Sequence, residues 1–177
     1  RCVARQCCQV LAGLGGGDIL EVGAGSGVMA ADVLAEMEVL GCLPEHYFIL
    51  DVSADLRQRQ RETLERRVPY LVERVRWLDR LPESGFTGVV LANELLDAMP
   101  VHLFRVENEG AQELYVAWED DRFTWRSGLL SDPRLDERIA VIVDELGDWS
   151  PGYTSEINLA AEDWVRSIAA MLERGLV

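Results

Sequence analysis

The stretch Ile19 to Met29, ILEVGAGSGVM, carries an apolar segment straight into three glycines spaced by single residues, and then into more apolar sequence. Glycine takes positive φ without a Cβ clash, so a strand that ends this way turns sharply into a helix and lets the backbone approach a ligand closely. The spacing narrows which ligand. A dinucleotide turn requires G-x-G-x-x-G, whereas Gly23, Gly25 and Gly27 are followed by Val28, so the third glycine arrives one residue early. The phosphate loop ending in Gly-Lys is excluded because all 17 basic residues are arginine. The same absence removes Schiff-base lysines and a kinase-type lysine. A nucleophile elbow fails too, since Ser26 is flanked directly by Gly25 and Gly27. What remains is E-x-G-x-G-x-G, with Glu21 two positions before the first glycine.

The segments around this turn alternate in type. Val3, Cys7, Val10, Leu11 and Leu14 recur at helical spacing, and Gly15-Gly16-Gly17 ends that helix. Ile19 to Val22 reads as a short buried strand, Val28 to Leu40 as a helix closed by Gly41 and Pro44, and Tyr47 to Leu50 as a second strand ending at Asp51. Ser53 suits the N-cap of a helix through Arg67. Val75 to Leu78 and Gly88 to Ala92 supply a third and a fourth strand. Strands alternating with helices imply right-handed crossovers and a mainly parallel sheet, so the first two thirds is α/β. From Val101 the period drops to two around Glu109-Gly110 and Asp120-Asp121, which predicts a β-meander inserted at about residues 101–131. A helix carrying Leu135, Ile139, Ile142, Val143 and Leu146 follows Asp132-Pro133. Then come a loop from Trp149 to Thr154 and a last helix from Leu159 to Glu173, with Leu159, Trp164, Ile168 and Leu172 facing the core.

With 177 residues the chain suits one domain with a genuine core. It starts without Met and ends as an apolar strand begins, so a piece of a longer protein is expected, truncated at both ends. No apolar run reaches the ~18 residues of a spanning helix, so no membrane partner is expected. A net charge of −14 argues against nucleic acid, whose backbone demands a basic surface. Arg57, Arg59, Arg61, Arg66 and Arg67 interleave with Asp55, Glu62 and Glu65 at helical spacing and read as a solvated, salt-bridged face. Cys2, Cys7, Cys8 and Cys42 form no C-x-x-C pair and read as buried thiols of a reducing compartment, not as ligands or bridges. His46 and His102 stand far apart, and no metal site is expected.

In an open parallel sheet, small molecules bind beyond the carboxyl ends of the strands. The residues there are Gly23 to Gly27, Asp51, Asp79, and Asn93, Glu94 and Asp97. A carboxylate in the Asp51 position can accept both hydroxyls of a ribose, which fits an adenosine ligand of either NAD or S-adenosylmethionine. Asp79 reads equally well as a turn residue.

Three segments carry a family resemblance: the E-x-G-x-G-x-G turn, the LDVS end of the second strand, and ANELLDAMPVHLF from Ala92. Together they resemble the class I S-adenosylmethionine-dependent methyltransferases, and among them the group that includes the mitochondrial complex I assembly-factor arginine methyltransferase and its bacterial relatives. Ser53 to Leu64 and the C-terminal SEINLAAEDWVRSIAAMLERGLV are similar to that group as well, so the likeness covers nearly the whole chain. Family turns usually read Gly-Pro-Gly-Arg-Gly, and the second-strand acid is usually Glu; here Ala24 and Ser26 stand in the turn and Asp51 ends the strand. The resemblance implies a Rossmann-like methyltransferase sheet with the meander inserted, and S-adenosylmethionine held by Glu21, Gly23, Gly25, Gly27, Asp51 and Asp79. It implies a protein substrate presenting Arg in the bacterial cytoplasm, or the mitochondrial matrix of a eukaryote.

Methyl transfer from a sulfonium needs no metal and no covalent enzyme intermediate, which suits a chain without Lys. Guanidinium is a poor nucleophile because it stays protonated, and paired carboxylates can align it and take its proton. If a helical turn follows the fourth strand, Glu94 and Asp97 share a face and could form that pair beside Asn93; a capping role is the competing reading. Glu156 is a further family-like acid without a role of its own. The alternatives are a non-catalytic assembly factor that grips a partner with its acidic meander, and, disfavoured by the glycine spacing, a nucleotide-dependent dehydrogenase.

Overall fold

The computed structural model describes residues 1–147 and 150–177. It divides into two compact units, Arg1–Ala98 with Val165–Val177, and Met99–Trp164.

The first unit is a wholly parallel five-stranded sheet of β1 (Asp18–Val22), β2 (Tyr47–Leu50), β3 (Val75–Leu78), β4 (Phe86–Leu91) and β9 (Leu172–Leu176), in the order β3-β2-β1-β4-β9. The order reverses beside β1, so β1 and β4 flank the switch point where ligands of such sheets bind. Helices α1 (Cys2–Leu14), α2 (Val28–Val39) and α3 (Ala54–Arg67) pack over Ile19, Tyr47, Ile49 and Val89, burying Cys7, Leu11, Leu34, Met37 and Leu64. Ser53 caps α3 as expected, its Oγ accepting the Leu56 N–H. The interleaved charges are only in part a solvated face. Arg59 pairs with Asp55 one turn away, whereas Arg57 turns inward to the ends of β2 and β3.

The second unit is an antiparallel sheet of order β7-β6-β5-β8, from β5 (His102–Glu107), β6 (Gly110–Glu119), β7 (Arg122–Gly128) and β8 (Thr154–Ile157). Asp120 and Asp121 both adopt positive φ, 50° and 56°, as the tight β6-β7 hairpin requires. One face of this sheet packs Phe104 and Ile157 against Leu135 and Ile139 of α4 (Pro133–Leu146), with Leu159 completing the cluster. Buried Glu113 ties the meander to α4's entry: it accepts the Ser131 N–H at 2.6 Å and lies 2.8 Å from His102 Nδ1.

Three expectations need correction. The segment from Thr154 to Ile157 is an edge strand pairing with β5, too short and too polar to announce itself. The last helix, α5 (Leu159–Met171), stops before Leu172, and Leu172 and Glu173 already belong to β9. No Gly or Pro stands at that junction; pairing of Leu172 with Phe86 overrides the helical pattern. Cys8 and Cys42 form a disulfide, Cys7 is buried and Cys2 exposed. The packing of α1 beside α2 brings Cα atoms 34 residues apart in sequence to 5.6 Å, a meeting that spacing cannot reveal. The Leu146 side chain and residue Trp149, named above for the core and a loop, lie outside what is described. No helix among the described residues is long and apolar enough to cross a membrane.

Candidate functional site

The glycine turn sits where β1 hands over to α2. Gly23, Gly25 and Gly27 have φ of 74°, 52° and 77°, a region that side-chain-bearing residues rarely enter. Gly27 is confined further: a Cβ there would lie 2.9 Å from the Gln60 Cα, so α3 rests directly on the turn. A Cβ at Gly25 would meet nothing within 4 Å, which leaves open space against the backbone for a ligand. Gly27 is also the N-cap of α2, and no side chain caps that end.

Asp51 is 7% exposed at the end of β2. Its Oδ1 accepts the Ser53 N–H at 3.0 Å and its Oδ2 accepts Gln60 Nε2 at 2.9 Å. Each oxygen retains a lone pair for a further donor.

Sequence reasoning missed Gln60, which has no exposed surface. Its Nε2 also donates to Gly25 O at 3.0 Å, and its Oε1 accepts the Trp77 indole N–H at 3.0 Å. One amide thus fixes the glycine turn, the Asp51 carboxylate and β3 in mutual register, and every one of its polar atoms is used. Arg57 adds a second brace, donating to Asp51 O at 2.6 Å, Leu78 O at 2.5 Å and Asp79 Oδ1 at 2.7 Å. The readable signal was that Arg57, Gln60 and Leu64 share the inner stripe of α3, where an uncharged amide has to be satisfied. Asp79 itself is 91% exposed, held to its place by Arg57, beside a cavity of about 470 Å³ lined by Trp77 to Glu83.

Glu21 lies beneath the turn and does not present itself to a ligand. It is 1% exposed, and Tyr47 donates its hydroxyl to Oε2 at 2.6 Å. Burial pushes the carboxyl up from 4.5 to about 6, with the Tyr47 hydrogen bond pulling the other way. Because the folded protein holds this proton after the unfolded chain has released it, stability is fully present below pH 4.5 and falls as pH rises through about 6. A shift of this size corresponds to about 2 kcal/mol. Denaturant titrations across that window should therefore show Glu21→Gln gaining about 2 kcal/mol on the wild type as pH rises. A difference constant with pH would contradict the assignment.

The segment beyond β4 does not form the helical turn that would place Glu94 and Asp97 on one face. The 3-10 turn begins only at Leu96 and runs to Ala98, and Glu94 precedes it in the left-handed region at φ 53°. Asn93, Glu94 and Asp97 are exposed, and Leu95 sets them beside the glycine turn, its Cδ1 3.3 Å from where a Gly23 Cβ would stand. No hairpin explains the Glu94 conformation, which costs about 1 kcal/mol or more and is the kind of strain found where a loop meets a ligand. Glu156 lies on β8 in the second unit, opposite Leu103. Among the described residues, one grouping could offer three ligand atoms to a metal ion: Asp18, Glu45 and His46. It lies at the amino ends of β1 and β2, where Asp18 already accepts the His46 N–H at 2.8 Å.

The glycine turn, the acid ending β2 and the strand order define a class I methyltransferase fold. Residues 2–177 match the family described as "Putative S-adenosyl-L-methionine-dependent methyltransferase", and the chain belongs to that family. Among solved structures, it is similar to a superfamily member from Burkholderia thailandensis bound to S-adenosyl-homocysteine, at 41% identity and a TM-score of 0.86, over 98% of this chain and 43% of that one. It is similar also to the native structure of an uncharacterized protein of that superfamily from the same organism, at 41% identity and a TM-score of 0.87, over 98% and 45% of the two chains. The chain thus spans less than half the length of either. No curated protein matches.

Proposed function

We propose that this chain is the cofactor-binding part of an S-adenosylmethionine-dependent methyltransferase whose acceptor is an arginine of a protein. The observation that carries the cofactor is the pairing of an open, left-handed glycine turn with a buried Asp51 whose oxygens keep free acceptor capacity, both locked by Gln60. The residues fit the group. Asp51 accepts the ribose hydroxyls, the backbone at Gly25 admits the ligand without side-chain interference, and Gln60 and Arg57 hold this framework rigid. When bound, S-adenosylmethionine supplies an electrophilic methyl group.

The arginine acceptor is supported by the likeness of the ANELLDAMP segment to the assembly-factor methyltransferases and by the exposed acids beside the turn. Glu94 and Asp97, exposed in the loop beside the glycine turn and not on one helical face, grip the guanidinium, aim one nitrogen at the methyl carbon and receive the proton that nitrogen loses, while the Asn93 amide oxygen accepts a further guanidinium N–H. A net charge of −14 favours a cationic protein segment over nucleic acid. Incubating the full-length enzyme with labelled S-adenosylmethionine and an arginine-bearing protein acceptor tests the reading. Label on arginine supports it, and label confined to another residue type overturns the choice of acceptor.

A further inference from the structure

The antiparallel sheet has two unlike faces. Phe104, Ile157 and their neighbours pack on α4, but the opposite face leaves large side chains in water. Strand alternation and the cross-strand pairs Val116 with Trp125 and Trp118 with Phe123 place these four on that face together. Their exposures are 62%, 60%, 60% and 76% in that order. Trp118 and Phe123 stack edge to face with ring centroids 5.0 Å apart. A cavity of about 520 Å³ opens over Leu103, Leu114, Val116 and Trp125, and Glu156 stands in its wall. Glu156 is exposed and makes no ion pair among the described residues.

An apolar patch of this kind marks an interaction surface, and its charge setting selects the occupant. Residues Met99 to Trp164 carry fifteen acids against five arginines, the larger part of the chain's net charge. A second copy would bring the same negative excess against it, whereas a basic segment is drawn in. Apolar and aromatic side chains of such a segment can cover the tryptophans, and a guanidinium or ammonium among them finds Glu156 for a charge-assisted hydrogen bond and the Trp125 ring for a cation–π contact.

We infer that the face bearing Val116, Trp118, Phe123, Trp125 and Glu156 is a docking surface for a basic, apolar-bearing segment of a partner protein, with Glu156 as the anchor of its cationic side chain. The surface holds that segment whether or not the segment is methylated, so the inference does not depend on the proposed acceptor.

The test uses full-length protein and a fluorescein-labelled synthetic peptide in which one arginine stands between leucine and phenylalanine residues, with a second peptide carrying glutamine in place of the arginine. Anisotropy titration should show the arginine peptide binding about tenfold more weakly to Glu156→Gln, and the glutamine peptide binding wild type and Glu156→Gln equally. Trp125→Ser should weaken both peptides. Glu156 is exposed, so an unchanged melting temperature is expected for its variant. The inference would be overturned by no arginine-peptide binding, by binding indifferent to both variants, or by tryptophan emission in the free full-length protein already shielded from acrylamide, which assigns the face to the rest of the chain. A dimer in sedimentation that Trp118→Ser dissociates would assign it to a second copy instead.

Discussion

Changing Glu94 to Gln, or Asp97 to Asn, is expected to lower arginine methylation by the full-length enzyme about 100-fold per residue, the scale of one lost electrostatic or proton-transfer contact. Each change removes a negative charge and almost no volume from an exposed side chain that makes no hydrogen bond or ion pair among the described residues. Folding and cofactor affinity should therefore survive. The loss should fall on kcat more than on cofactor binding, because the two carboxylates act on the acceptor. The left-handed backbone at Glu94 gives a second handle. Glu94→Gly relieves the φ of 53° while deleting the carboxylate, so it should stabilise the fold slightly and still lower methylation about 100-fold. Wild-type rates in both charge variants would make these acids turn residues and place the acceptor elsewhere. If the full-length protein binds cofactor yet methylates no arginine, the assembly-factor reading takes over.

Asp51→Ala should weaken cofactor binding by about 1.5 to 3 kcal/mol, the cost of charge-assisted hydrogen bonds to a ribose. That is roughly ten- to a hundredfold in affinity. The carboxylate also receives the Ser53 N–H and Gln60 Nε2, so some of the loss could come through a loosened turn. Gln60→Leu separates the two contributions. It keeps the ribose acid but cuts the amide's links to Gly25, Asp51 and Trp77, and should lower stability together with affinity. Asp51→Ala should lower affinity more than Gln60→Leu does, with a smaller drop in melting temperature, because Gln60 keeps its bonds to Gly25 and Trp77. Equal affinity in Asp51→Ala and wild type would reduce Asp51 to a turn residue.

The features legible in the sequence were the local ones. Three glycines between an apolar run and a helical pattern mark their own turn, and Asp51 and Ser53 announce a strand end and a helix cap within three residues. What escaped depends on contacts across long stretches of chain. Gln60 meets Gly25 across 35 residues, and nothing in RQRQRETL distinguishes its amide from that of Gln58, which faces solvent and bonds Glu62. Arg57 looked like one more surface cation until β2 and β3 ended beneath it. Glu21 was readable as the acid before the glycines, but its burial against Tyr47 follows only from the pairing of β1 with β2. At Glu94 the backbone departs from the helical turn that residue spacing suggested, a local strain that propensity does not encode.

Calorimetric titration of the full-length protein with S-adenosylhomocysteine, run beside NAD, tests most directly whether the glycine turn holds an adenosyl ligand. The expected result is saturable one-site binding of S-adenosylhomocysteine that Asp51→Ala weakens and Gly27→Ala, whose Cβ would press on Gln60, also disrupts. Tighter binding of NAD, or no heat from the adenosyl ligand at all, would contradict it.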